Sequence, residues 1–253
     1  MGELRPADVQ LTEMAARLRL TYTRDHLVEL VETAATSHMT PRETLEYVFR
    51  KEIEQRDGNR VRLAQMSAHF PFAAAMDGFD MSFQPSIDPG KIRELVSLGW
   101  VISGENVILI GPSGVGKTHL SIALGQLALQ RGLSVRFYSV TRLVEQMEKA
   151  YNAGTFDEKI RDVNKPKLLI PDELGYIPFT PLQRQLLFEL ISARYEKKSI
   201  IVTSNKMPGE WGTVFGDAAA ATASLDRLLH HCTPMLIQGE SYRTRKFSRK
   251  IRE

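Results

Sequence analysis

Apolar positions along this 253-residue chain follow two different periods, and the change from one to the other divides it. Up to residue 69 they recur at helical spacing, as Leu11, Met14, Leu18 and Leu20, then a short run from His26 to Thr33, then Leu45, Val48, Phe49 and Ile53. Thr40-Pro41-Arg42-Glu43 opens the last of these with an N-cap, a proline at the first helical position and a capping-box glutamate. The opposite faces are rich in Arg, Lys and Glu. The pattern predicts a small all-helical domain over residues 1–69 whose apolar stripes need a partner surface: the rest of the chain, a second copy or another protein.

From residue 70 to 90 the periodicity lapses. Three prolines interrupt the stretch, which predicts a linker anchored to the core by Phe79 and Phe83. Lys91 to Leu98 predicts a short helix. Beyond it, buried-type runs alternate with helical ones. Strands are expected at Val107–Ile110, Ser134–Val140, Lys167–Glu173, Ser199–Asn205 and Thr233–Gln238. Helices are expected at Thr118–Gln130, Thr141–Tyr151, Thr180–Glu196 and Ser224–His231. Trp211 to Ala223 is rich in small residues. Five apolar strands with helices between them predict an α/β fold, a parallel sheet covered on both faces. Pro171 cannot donate to a central ladder, and its place near a strand end makes that tolerable.

Composition narrows the class. With 43% hydrophobic and 25% charged residues the chain reads as a soluble globular protein. Cys232 is the single cysteine, which excludes a disulfide framework and a cysteine-rich zinc module and suits a reducing cytoplasm. No signal-peptide core or membrane-length apolar run is present, so no membrane role is expected. The net charge of +3 is uneven, with six Lys and Arg crowded between Arg243 and Arg252. Such a basic tail, residues 243–253, suits an acidic partner such as nucleic acid, or is simply solvated.

The candidate chemistry sits at strand ends. Gly111-Pro112-Ser113-Gly114-Val115-Gly116-Lys117-Thr118 matches the P-loop pattern between a strand and a helix. Its glycines let backbone N–H groups face a polyphosphate, and the helix N-terminus adds positive potential. Lys117 is placed to reach the β- and γ-phosphates of ATP and Thr118 to ligate Mg²⁺. His119 adjoins this phosphate-binding stretch, packing being its alternative role. Four largely apolar residues followed by Asp172-Glu173 form a Walker B pattern. Asp172 is the second expected Mg²⁺ ligand, and Glu173 the base that orients and deprotonates water. Asn205 ends the next strand, where ligands meet open α/β sheets, although it could merely start a turn. His230 and His231 are adjacent, so on a continuous helix they diverge by about 100° and make a poor metal pair. The only metal expected is Mg²⁺ with the nucleotide.

A P-loop, an Asp-Glu Walker B and a polar residue ending the next strand together resemble the AAA+ P-loop NTPases. The resemblance implies an ATPase core over residues 91–242 with sheet order 5-1-4-3-2. Only fifteen residues follow Gln238, too few for the usual C-terminal lid domain. That ending, with Leu174-Gly175-Tyr176, Thr203-Ser204-Asn205, Asp226-Arg227-Leu228 and Ser241-Tyr242-Arg243, is similar to the branch holding the DnaC/DnaI helicase loaders and the IstB-like helper ATPases of transposition. Phe70-Pro71, Phe79-Asp80 and Phe83 ahead of the core favour the IstB-like group. By that resemblance Arg227 is an arginine finger toward a neighbouring subunit and Arg243 a sensor 2 residue. Local pairing and a plain basic tail are the alternatives. The resemblance also implies an ATP-dependent homo-oligomer on double-stranded DNA that assists a transposase, or alternatively a helicase loader on single-stranded DNA. Candidate DNA-phosphate contacts are Arg142, Lys149, Lys159 and Arg161.

Overall fold

The computed structural model describes residues 6–79, 81, 84–215, 225–242 and 244. Asp80, Phe83, most of the small-residue segment, Arg243 and nearly all of the basic tail lie outside the described residues. The chain divides into two compact units, meeting between residues 63 and 64.

The first unit is helical: α1 (Pro6–Arg17), α2 (Thr21–Asp25), α3 (Leu27–Thr36) and most of α4 (Pro41–Ala68). The capping box at Thr40 forms, with the Thr40 N–H donating to Glu43 Oε2 at 2.7 Å and the Glu43 N–H to Thr40 Oγ1 at 3.4 Å. Glu52 of α4 is 3% exposed. Its Oε2 accepts the Thr23 N–H at 2.9 Å and the Thr23 hydroxyl at 3.1 Å, tying α2 to α4. Leu27, Leu30 and Ala34 supply the buried face of α3. The stripes expected to seek a partner stay on the surface: Leu11 and Met14 of α1 and Leu18 just beyond it are exposed, as are Leu45, Phe49 and Ile53 of α4.

The second unit is built on a five-stranded parallel sheet. After α5 (Pro89–Ser97) and α6 (Gly99–Ser103) come β1 (Asn106–Ile110), α7 (Lys117–Gln130), β2 (Val135–Ser139), α8 (Val140–Asn152), α9 (Phe156–Val163), β3 (Leu168–Asp172), α10 (Pro181–Arg194), β4 (Ser199–Ser204), α11 (Gly212–Phe215) and β5 (Cys232–Leu236). A helical stretch at residues 225–230 precedes β5. The strand order is β2-β3-β4-β1-β5, and every pair is parallel. This is the AAA+ order that the resemblance implied. Alternation along β1 splits the core between the two faces. Val107 and Leu109 pack with α5 and α7, while Ile108 and Ile110 pack with residues of α8, α10 and α11.

The stretch before α5 is anchored to the first of these cores. Phe70, Met76, Phe79 and Met81 pack against it. Gly125 of α7 makes room for Phe70, since a Cβ there would lie 2.9 Å from Phe70 Cζ. Pro171 leaves its mark on the sheet: the β3–β4 ladder covers Leu168 and Leu169, and contact resumes at the bridge between Leu174 and Ser204. The interruption falls where Asp172 and Glu173 emerge.

Candidate functional site

The carboxyl ends of β1, β2, β3 and β4 open onto a cavity of about 700 Å³. Lys117, Thr118, Asp172, Glu173 and Thr203 line it together with the loop from Ser113 to Gly116. Local backbone explains the loop. Gly116 has φ 102°, a conformation that side chains resist. Gly111 faces the Ile237 carbonyl so closely that a Cβ would lie 2.1 Å from its oxygen. The Tyr242 N–H donates to the Gly114 carbonyl at 3.0 Å, so the segment after β5 braces the loop from behind.

Lys117 is buried, and its ammonium donates to the carbonyls of Gly111 and Pro112, each at 2.7 Å. Thr118 donates its hydroxyl to Asp172, whose two oxygens lie 3.0 and 3.1 Å away. Burial raises the Asp172 pKa above the ordinary carboxylate value, and the neighbouring Glu173 adds to this. Hydrogen bonds from Thr203 and Thr118, and the Lys117 charge, pull the other way without cancelling it.

Thr203 is the residue that sequence reasoning passed over. Its hydroxyl donates to Asp172 Oδ1 and accepts the Glu173 N–H at 2.9 Å. The Leu174 N–H then donates to the Thr203 carbonyl at 2.9 Å, and Ser204 Oγ donates to the Leu174 carbonyl at 2.7 Å. Glu173, clamped between these bonds, has φ 67°. A non-glycine residue in that region is strained and persists only where its surroundings enforce it. The kink turns the Glu173 side chain out of the sheet and into the cavity.

The cavity continues beneath Pro71, Phe72, Gly78, Phe79 and Gln84. Phe79 covers Gly116, and its ring lies 5.8 Å from that of His119. Phe72 and Gln84 line the same wall. His119 thus packs between aromatic rings, and its Nε2 is 3.3 Å from the Ala75 carbonyl. Gln84 apart, this wall is built of aromatic rings, the lining a purine base favours.

Other expected site residues lie elsewhere. Asn205 is exposed and is not among the residues lining the cavity. The β4 side chain that reaches it is Thr203, two positions earlier, because the strand ends at Ser204 before Asn205. Arg227 lies against α10, donating to Ser192 Oγ at 2.6 Å, with its guanidinium 4.8 Å from the Phe188 ring centre. Its local partner is therefore a serine and an aromatic face. Arg142, Lys149 and Arg161 are exposed on α8 and α9, while Lys159 donates to Gln146 at 2.7 Å. Glu145, Asp157 and Glu158 share these exposed surfaces.

The profile of the family described as IstB-like ATP binding protein matches residues 13–250. A Pseudomonas aeruginosa protein named for insertion sequence IS21 and for ATP binding is 40% identical over 237 residues, 94% of this chain and 89% of that one. A Geobacillus stearothermophilus protein named likewise for insertion sequence IS5376 is 38% identical over 237 residues, 94% of each chain. Among solved structures, that of DnaI aligns with a TM-score of 0.55 at 21% identity, covering 65% of this chain and 91% of that one, a likeness of fold. With the P-loop, the sheet order and the profile in agreement, the chain belongs to the IstB-like ATP-binding family of AAA+ P-loop proteins.

Proposed function

We propose that this chain is a Mg²⁺-dependent ATPase that assembles on duplex DNA and assists a transposase during insertion-sequence transposition. One observation carries the enzymatic part: Lys117, Thr118, Asp172 and Glu173 converge on one cavity under a P-loop. The Thr118 hydroxyl and the Asp172 carboxylate are hard oxygen donors 3.0 Å apart. Adjacent ligands of an octahedral Mg²⁺ stand about 3.0 Å apart at Mg–O distances of about 2.1 Å, so these two side chains fit the ion directly or through water. Magnesium, when bound, supplies charge neutralisation for the terminal phosphates.

The protein's own groups do the rest. Backbone N–H groups of residues 113–118 receive phosphate oxygens, and Lys117 exchanges its carbonyl partners for the β- and γ-phosphates. Glu173 orients a water molecule and accepts its proton. Thr203 holds Asp172 and the Glu173 backbone in register. Asn205 is proposed to reach the terminal phosphate as the site closes. Arg227, turned away from its own cavity, is proposed to serve a neighbour's site, and Arg243 to act as sensor 2.

The names of the relatives support the transposition setting, since both cited proteins are named for insertion sequences. For the helicase-loader alternative there is a likeness of fold alone. Duplex DNA contact is assigned to Arg142, Lys149, Lys159, Arg161 and the basic tail, and partner contact or self-association to the helical N-terminal residues. Electron microscopy of the chain with ATP analogue and duplex DNA tests the assembly. Ordered oligomers that need both nucleotide and duplex are expected; assembly only on single-stranded DNA would favour the loader reading.

A further inference from the structure

Outside the cavity, one group of side chains among the described residues has the geometry of a ligand set. Tyr195 and Glu196 form the turn after α10, and the helical stretch 225–230 ends at His230, with His231 in the turn into β5. His231 Nε2 lies 3.3 Å from Glu196 Oε1, and His230 Nδ1 lies 3.8 Å from the same oxygen. The three ligand atoms all fall within 4.8 Å of one another. An adjacent histidine pair diverges on a continuous helix. Here the helix stops between the two, so both rings face one carboxylate with their centroids 4.1 Å apart.

The backbone beneath these side chains is fixed from inside the fold. Asn106 is buried; its side chain donates to the Leu228 carbonyl at 3.1 Å and its N–H donates to the His231 carbonyl at 2.7 Å. Its Oδ1 accepts the Ile200 N–H at 3.0 Å, which locks the start of β4 to the same point. Glu196 has φ 56° and its carbonyl packs against Gly104, where a Cβ would lie 3.3 Å from the oxygen. A ligand set carried on anchored backbone loses little freedom when an ion arrives.

We propose that Glu196, His230 and His231 bind a divalent cation of borderline softness, with Zn²⁺ as the fitting probe. Two imidazole nitrogens and one carboxylate oxygen select zinc over magnesium or calcium. Bond lengths of about 2.1 Å place tetrahedral ligand atoms about 3.4 Å apart. The observed 3.3 and 3.8 Å reach that with small side-chain rotations. The Tyr195 hydroxyl, 2.8 Å from His230 Nδ1, gives up that contact to the metal and remains at the open side of the shell. The bound ion fastens the stretch that carries Arg227 to the end of α10. The inference does not depend on the nucleotide site.

The test is calorimetric titration of Zn²⁺ into the nucleotide-free, untagged full chain, beside His231→Ala and Glu196→Gln, with circular dichroism to verify folding. All three side chains are at the surface, so the variants are expected to fold. One saturable site is expected, weakened at least about tenfold in each variant, together with a zinc-induced rise in Tm that the variants lack. No saturable binding up to about 100 µM, or binding of unchanged strength in both variants, overturns the proposal.

Discussion

Thr203 and Asp172 share a hydrogen bond across the gap that Pro171 opens between β3 and β4, and the same Thr203 oxygen receives the Glu173 N–H. One hydroxyl thus orients both acids of the site. Thr203→Val keeps the shape and removes both contacts, leaving a buried carboxylate short of a donor and a backbone N–H without a partner. A stability loss of about 1–3 kcal/mol is expected, with ATP turnover falling at least about tenfold. Thermal melts and phosphate release check this; Thr203→Ser, which keeps the hydroxyl, is expected to restore most of the turnover.

Asp172 places function against stability. Its pKa is raised in the folded chain, so the folded state binds more protons than the unfolded one, and stability falls as pH rises from the unfolded value of 3.8 through the folded one. At pH values above that range burial of this carboxyl group is therefore a burden in the nucleotide-free protein. Asp172→Asn is expected to raise the Tm of that form by roughly 2–4 °C while abolishing turnover. A Tm that falls in the variant would count against the burial argument.

Two glycines give a contrast. At Gly111 a Cβ would meet the Ile237 backbone at 2.1 Å, whereas Gly209 has open space around it. Gly111→Ala is expected to cost at least about 2 kcal/mol and lower the Tm by roughly 4–8 °C. Gly209→Ala is expected to stay within about 0.5 kcal/mol. Paired thermal melts decide it.

Arg227→Ala is expected to spare nucleotide binding and lose most turnover, since the side chain lies on α10 outside its own cavity. Mixed with Lys117→Ala protein, it recovers partial activity if sites are shared between copies. Absence of recovery at every ratio would remove the finger role.

Truncation separates the two units. Removing residues 1–63 spares Ala68 and Phe70, which pack into the core of the second unit, and is expected to leave ATPase activity while reducing partner stimulation. Removing residues 1–70 takes both contacts away and is expected to lower the Tm further. The two melting curves make the comparison.

The P-loop was legible in the sequence because phosphate binding there is local: its glycines, lysine and threonine act at fixed chain spacing. The apolar runs likewise marked the strands, since parallel strands buried on both faces leave little choice of residue. Strand order came by resemblance, because periodicity carries no information about which strands are neighbours. Thr203 was hidden for a related reason. Within Ile200-Ile201-Val202-Thr203 a β-branched threonine reads as one more buried strand position, and only the pairing with β3 shows what its hydroxyl touches. Asn205 drew attention as the polar strand-end residue, and it is the exposed one. The meeting of Glu196 with His231 spans 35 positions of chain and depends on where a helix stops.

The central claim is that Glu173 drives water attack on ATP held by the P-loop. Steady-state phosphate release and nucleotide binding by Glu173→Gln, measured beside the unaltered chain with Mg²⁺ and duplex DNA, test it most directly. The account predicts unchanged ATP affinity with turnover reduced about a hundredfold or more, and assemblies on DNA that outlast those of the unaltered chain. Turnover at the normal rate in that variant would contradict it.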